Sequence, residues 1–583
     1  MSSLRTAHFF MAALLLVLGF FLIWPVLLLI INSFNTASDW FFQPRAWGLG
    51  NWVAAFTKPK ILSSLGNSIL IWMITIVLSF PVAVGIAWVL ARTKVPFSHT
   101  LEFLFWVAFM VPDLPITIAW ILLLDPGFGL INVALTKLPF IDIDKGPFNI
   151  FSIWGIVWVK LMGNTIAIKV MLLTPAFRNM DAALEEAGRV SGASNLRTAL
   201  CITLPLMISP LALVFGLQLL RIFQSFETEL LVGIPFNFFV FSTRVYDLVR
   251  GDAPNYGEAT ALASITLLVI ALIIPVQRWI IQRRRYTTIT GQFRPGLIDL
   301  GRWNYFLFGL ISLLLFLMTL GPVGVLLLGS FMTRVGFFIL GYTTNHWQFV
   351  LHDTVFLQAL RTTLLLATTA AFLGPLLFSI LAYILVRTRL PGRFALDFII
   401  WASAAIPGIL SSLGLLFIFL GTPLLNFLYG TLWALLIVVV LQGNTTGVNF
   451  LKGVFVQVGA DMEEAARVAG AGWLRTFFRI WIPLLMPSLV LLAAINFTIA
   501  AGTTSPIILI ASRDTITLSL LALEYSVPGV NREEAAGIIS LFIIAMTVGG
   551  AMVVRYFGLR MAVSHDMRVR TAKPVLEPQL RTL

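Results

Sequence analysis

Charge is what this sequence has least of. Only 11% of its 583 residues are Asp, Glu, Lys or Arg, where a soluble domain carries about a quarter. Water cannot wet such a chain all round, so a soluble globular protein is excluded. Cysteine is scarce too: Cys201 stands alone, and no internal disulfide can form. The five histidines, His8, His99, His346, His352 and His565, are scattered without metal-ligand spacing, and no metal site is expected. No G-x-x-x-x-G-K-S/T phosphate loop occurs. Nucleotide, if used, must be bound by another polypeptide, and no nucleophile–base set points to an enzyme.

Long apolar runs are what the chain has in plenty. Mean hydropathy is +0.94. Stretches of the ~20 residues that cross ~30 Å of hydrocarbon recur at 9–31, 68–91, 103–124, 149–173, 202–220, 259–276, 305–328, 362–386, 398–420, 432–450, 482–508 and 535–554. The expectation is an all-α integral membrane protein with about twelve transmembrane helices. The first run exceeds twenty residues and lacks a small-residue cleavage site after it. It reads as a retained anchor rather than a signal peptide.

The net charge of +13 does not imply nucleic acid. With the N-terminus inside, most basic residues fall on the cytoplasmic side, including Arg283-Arg284-Arg285 and the run from Arg555 onward. That is the positive-inside bias of a multi-pass protein with both termini cytoplasmic.

The sequence also repeats. "EEAGRVSGASNLRTALCITLP" (185–205) returns as "EEAARVAGAGWLRTFFRIWIP" (463–483), 278 residues later. "LARTKVP" (90–96) answers "LVRTRLP" (385–391), with Trp106 and Pro112 matched to Trp401 and Pro407, and Gly163-Asn164-Thr165 recurs as Gly443-Asn444-Thr445. Six spans per copy is an even number, so the copies are parallel and their repeated loops face the same side. The expected organisation is a first six-span domain at 1–285, a cytoplasmic linker at 286–303, and a second six-span domain with a basic tail at 304–583.

Each repeated loop reads as a short helical hairpin. Asp181 and Asp461 are placed to cap a first helix, Glu464 gives a capping-box pattern, and Gly192 and Gly470 end it. A second short helix runs to Pro205 or Pro483. Small residues here let another backbone approach, and the charges around them suit the rim of an interface.

With those residues in view, the chain resembles the permease subunits of ATP-driven, binding-protein-dependent importers, whose EAA loop follows E-A-A-x3-G-x9-I-x-L-P. The second copy fits at Glu464-Ala465-Ala466, Gly470, Ile480 and Pro483. The first fits at Glu186-Ala187, Gly192, Ile202, Leu204 and Pro205, and the departures are Gly188 for the second alanine and Ile482 for the leucine. The resemblance covers essentially the whole chain as two fused permease domains. It implies coupling residues at Glu185, Glu186, Ala187, Gly188, Gly192, Glu463, Glu464, Ala465, Ala466 and Gly470. Two copies of an ATP-binding subunit would dock there, holding ATP and Mg, with no cofactor in this chain. The other implied partners are an extracytoplasmic solute-binding protein and the bilayer, with residence in the bacterial inner membrane. The fused form and "DPGFGLIN" (125–132) resemble the ferric-iron permeases and their thiamine, phosphonate and polyamine relatives, with ferric iron the first choice. The other class that composition allows is an ion-coupled secondary transporter, against which the paired loops argue.

Charges at membrane depth mark a possible path, each costing at least ~2.5–3.5 kcal/mol. Asp113 in "MVPDLPITIAW" and Lys160 lie near the centres of the third and fourth runs and are expected to interact. Arg221 and Glu227 sit at the outer end of the fifth and either meet solute or lie at the interface. Glu229 is expected at the interface, and Lys169 to snorkel toward the cytoplasm. The second copy lacks charges here, so any charged lining is asymmetric.

Overall fold

The computed structural model describes residues 2–37, 44–136, 146–180, 182–219, 221–251, 253–282, 297–337, 340–459, 461–527, 529–530 and 532–571. These residues are helical, with no strands among them beyond isolated bridges. The Arg283-Arg284-Arg285 run, most of the expected linker, Asp181 and the end of the basic tail lie outside them.

Among the described residues, eight helices are long and apolar enough to cross a bilayer unbroken, and counting four bent pairs brings the number to twelve. The unbroken ones are Pro59–Arg92, Ile153–Arg178, Tyr256–Val276, Trp303–Phe331, Thr354–Arg387, Leu432–Gln457, Trp473–Gly502 and Glu533–Val553. The bent pairs are His8–Leu22 with Trp24–Asn32 (41°), Ser98–Met110 with Asp113–Leu124 (94°), Ala199–Leu206 with Ile208–Leu219 (65°), and Arg393–Ser403 with Gly408–Gly421 (115°). Each expected run therefore maps onto one helix or one bent pair.

Proline explains three of these bends. Pro112 and Pro407, matched in the repeat, take extended backbone (φ −67°, ψ 153° and φ −57°, ψ 144°) immediately before the second helix of the third and ninth spans. Their missing N–H and ring clash prevent the first helix from continuing. Pro210 has the same effect on the carbonyl of Leu206 in the fifth span.

The two copies interlock. The Trp24–Asn32 part of the first span packs on Gly408–Gly421 of the ninth, and the seventh span packs on both pieces of the third. Small residues permit these crossings: a Cβ on Gly414 would stand 2.7 Å from Pro25 Cβ. At Gly336 (φ +81°) a side chain would run into the Phe128 carbonyl at 2.1 Å. Phe128 belongs to "DPGFGLIN", a turn held from within. Asp125 Oδ1 accepts the N–H groups of Gly127 and Phe128 (2.7 and 3.1 Å), while the Asn132 amide donates to the carbonyls of Asp125 and Phe148 (2.9 and 2.8 Å).

Candidate functional site

Two features carry the expected site residues: the paired hairpins, and a polar cavity in the first copy.

In both copies the hairpin lies between that copy's fourth and fifth spans. Its first helix is Ala182–Val190 or Asp461–Val468. Asp461 is inside the first turn, where its carboxylate complements the helix dipole. Gly192 (φ +86°) and Gly470 (φ +76°) take the left-handed conformation expected of terminating glycines, with open space where a Cβ would point. Backbone strain is therefore the whole cost of substitution there, ~1–2 kcal/mol. Gly192→Ala and Gly470→Ala should each raise hydrogen exchange in the hairpin several-fold, and unchanged exchange would refute the cap assignment.

The two adjacent carboxylates of each hairpin face different ways. Glu185 and Glu463 turn inward, while Glu186, Ala187, Glu464 and Ala465 are exposed. Glu185 is fully buried against an equally buried Arg92, with Nη2 and Nε at 2.5 and 3.2 Å. Thr203 Oγ1 donates to Glu185 at 2.7 Å, and Arg92 Nη1 donates to the Met180 carbonyl at 3.2 Å. Glu463 takes other partners: Tyr383 Oη donates at 2.8 Å and Arg467 Nη2 at 2.5 Å. These bonds hold Arg467 in its charged form above the usual arginine range. Gly188 and Ala466, at equivalent positions, also face inward, and a Cβ on Gly188 would meet Ile202 Cδ1 at 2.5 Å. Four of the ten residues expected to meet a partner thus anchor the hairpin to its own chain. Nothing in the sequence marks Arg92 as an anchor, because a basic residue at a span end reads as topology.

What each hairpin presents outward is matched. Val190 and Val468 occupy the same place in the repeat and are 89% and 90% exposed.

The cavity, of about 260 Å³, gathers Asp113, Lys160, Arg221 and Glu227 together with Lys169 and Glu229. Asp113 begins the second helix of the third span. It accepts the backbone N–H of Asn164 and is near enough to feel Lys160 and Arg221. That N–H is freed by a wide π-type turn at Leu161–Thr165, where Gly163 leaves helical geometry (φ −81°, ψ −151°), a departure that recurs at functional sites. The second copy keeps the same Gly-Asn-Thr in an unbroken helix. Asp113 answers to Gly408 there, so no carboxylate draws the turn open, and both polar atoms of the Asn444 amide are buried without a hydrogen-bond partner among the described residues.

Two expectations are corrected and one is narrowed. Lys160 lies within charge range of Asp113, as expected, but its ion pair is with Glu229 (2.9 Å), and it also donates to Ser225 Oγ (2.9 Å). Glu229 is not interfacial but wholly buried, with Ser225 donating to the same Oε1. Lys169 does not snorkel: its stem runs back one turn, its Nζ donates to the Thr165 carbonyl at 2.9 Å, and it is 1% exposed. The long apolar flank of "ETELLVGIP" was the one hint that Glu229 is drawn inside.

The cavity abuts the join of the copies. Glu227 accepts the backbone N–H of Ser505, its counterpart at the 278-residue offset. Equivalent positions meet only near a pseudo-two-fold axis. Gln224 Nε2 donates to the Ala404 carbonyl at 3.2 Å, and Gly502, the counterpart of Gln224, lies against Pro112.

Residues 375–563 match the family model described as binding-protein-dependent transport system inner membrane component. Among relatives, the molybdate/tungstate transport system permease protein WtpB of Thermococcus kodakarensis is 30% identical over 176 residues, 30% of this chain and 68% of that protein. This chain belongs to that family. The ferric transport system permease protein FbpB of Actinobacillus pleuropneumoniae is 26% identical over 364 residues, 60% of this chain. The chain spans about half that relative's length, 50%. A solved bacterial alginate ABC transporter, in complex with an alginate pentasaccharide-bound periplasmic protein, is similar at TM-score 0.40 and 17% identity, over 48% of this chain and 96% of that one.

Proposed function

We propose that this chain is the translocation subunit of an ATP-driven importer of ferric iron in the bacterial inner membrane. It does no hydrolysis itself. Each hairpin takes one copy of a separate ATP-binding subunit, which carries ATP and Mg, and an extracytoplasmic binding protein supplies the solute. On this reading the hairpins and both termini are cytoplasmic, and residues 1–285 and 304–583 are the two permease domains joined through 286–303.

The observation that carries it is the matched outward surface of the hairpins: an exposed carboxylate, Glu186 or Glu464, one turn before a bare valine, Val190 or Val468. Two equal knobs suit two equal subunits. The apolar tip fills a groove, and the carboxylate pairs with a basic residue on its rim. Each hairpin is also tied to the membrane helices through Glu185 or Glu463, so a push on the knob reaches the bundle. Iron is supported by the ferric-transport relative, which aligns over the larger part of the chain.

Glu464→Lys and Val468→Asp should each release the ATP-binding subunit, or uncouple hydrolysis from transport, with membrane insertion intact. The same changes at Glu186 and Val190 should act less completely if the two docks are unequal. Wild-type copurification and solute-stimulated hydrolysis in all four variants would end the docking assignment. Uptake of labelled ferric iron into vesicles, lost with the ATPase, tests the cargo, and equal iron uptake without the chain would reject it.

A further inference from the structure

We infer that the cavity holds an oxyanion group between Lys169 and Arg221, so that a metal cargo crosses as an anionic complex and not as a bare cation. This deepens the reading as a permease and rests on it.

The first argument is a count of donors. Lys169 carries three N–H groups, and one is taken by the Thr165 carbonyl. Arg221 carries five, and none has a hydrogen-bond partner among the described residues. Both side chains line the cavity and lie close enough to repel each other. Two cations held together with seven N–H groups unused call for an acceptor-rich ligand of negative charge, and the planar fork of Arg221 suits a carboxylate or phosphate-like edge.

The second argument is that each acid already has a partner. Glu229 is bound to Lys160 and Ser225 through Oε1, with Oε2 buried and without a hydrogen-bond partner among the described residues. Glu227 accepts from Ser505 and Asp113 from Asn164, both backbone N–H groups. Among the described residues no group of three His, Cys, Asp or Glu side chains is placed to hold a metal ion. A bare trivalent ion would meet Lys160, Lys169 and Arg221 in one small space. Because the Born cost rises with the square of charge, its desolvation would be about nine times that of a monovalent ion. An oxyanion ligand removes both difficulties. At about 260 Å³ the space falls below the ~300–1,000 Å³ of drug-sized pockets, which fits a small ion or its chelate.

Trp72 lines the cavity and bonds the Gln218 carbonyl at 2.8 Å, so its fluorescence reports occupancy. The full chain in nanodiscs would be titrated with phosphate, molybdate, citrate, ferric citrate and, as a bare cation, Mn²⁺. Trp72→Phe would identify the responding signal. Saturable quenching by at least one anion is expected. It should weaken tenfold or more in Lys169→Gln and in Arg221→Gln, be partly retained in Arg221→Lys, and be absent with Mn²⁺. A response to ferric citrate alone assigns the anion as a ligand of the metal, whereas an equal response to free anions assigns a free oxyanion. No anion response, equal affinity in both neutralised variants, or a response to Mn²⁺ instead would each overturn the proposal. If Lys169→Gln fails to fold, Arg221→Gln decides, since the Arg221 guanidinium makes no hydrogen bond or close ion pair among the described residues. The assay involves no ATPase, so failure of hairpin docking would leave its result standing.

Discussion

Arg92→Ala should be among the most damaging single substitutions in the chain. It removes the buried Arg92 partner of the buried Glu185 carboxylate, and breaking a buried pair from one side costs ~3–5 kcal/mol. Glu185 also receives Thr203, at the start of the fifth span, and Arg92 holds Met180, so three elements loosen together. The second copy supplies the control. Arg467 is largely exposed, and its bond to Glu463 spans one helical turn, a geometry worth roughly 0.3–0.5 kcal/mol. Glu463 keeps Tyr383 in any case. Thermal unfolding in detergent should therefore fall steeply for Arg92→Ala and barely for Arg467→Ala, with Tyr383→Phe between them. Equal losses in the two arginine variants would show that the first hairpin is not specially anchored.

Lys160→Met should be comparably severe, since Glu229 is wholly buried and Lys160 is the one cation paired with it among the described residues. The expected loss is again ~3–5 kcal/mol. Replacing both charges, Lys160→Met with Glu229→Gln, should recover much of it, because a neutral pair needs no counter-ion. A double-mutant cycle on unfolding midpoints measures the coupling. Additive losses would refute the pair, and a stronger coupling of Lys160 with Asp113 than with Glu229 would reinstate the partner expected from sequence.

Much of the fold was legible in the sequence because its signals are local. A hydropathy run marks a span without any knowledge of its neighbours, and Pro112 and Pro407 recur at one offset, though the bends of 94° and 115° at them were not read from that match. The hairpins were legible because glycine is what a left-handed terminus requires, and Gly192 and Gly470 recur in place. Side-chain direction was not. Glu185 and Glu186 are adjacent, about 100° apart around one helix, and nothing in "EEA" says which one turns inward. Arg92 decides that, from 93 residues away. Lys160 and Glu229 meet through a similar accident of topology. The asymmetry of charge between the copies was visible. Its structural consequence, a turn opened in one Gly-Asn-Thr and left closed in the other, depends on Asp113 facing that turn.

The crossing of the first span onto the ninth also sets a schedule for biosynthesis. Roughly 390 residues separate the two surfaces that meet at Pro25 and Gly414. At 5–20 residues per second, the first span waits about 20–80 s before its partner exists. During that interval its apolar flank is already in the membrane, covered only by lipid or by the insertion machinery. The first six spans therefore cannot reach their final packing while the ribosome is still making the second six. A chain stopped at the midpoint would keep an uncovered seam where the ninth span belongs, and would be a natural substrate for membrane proteases.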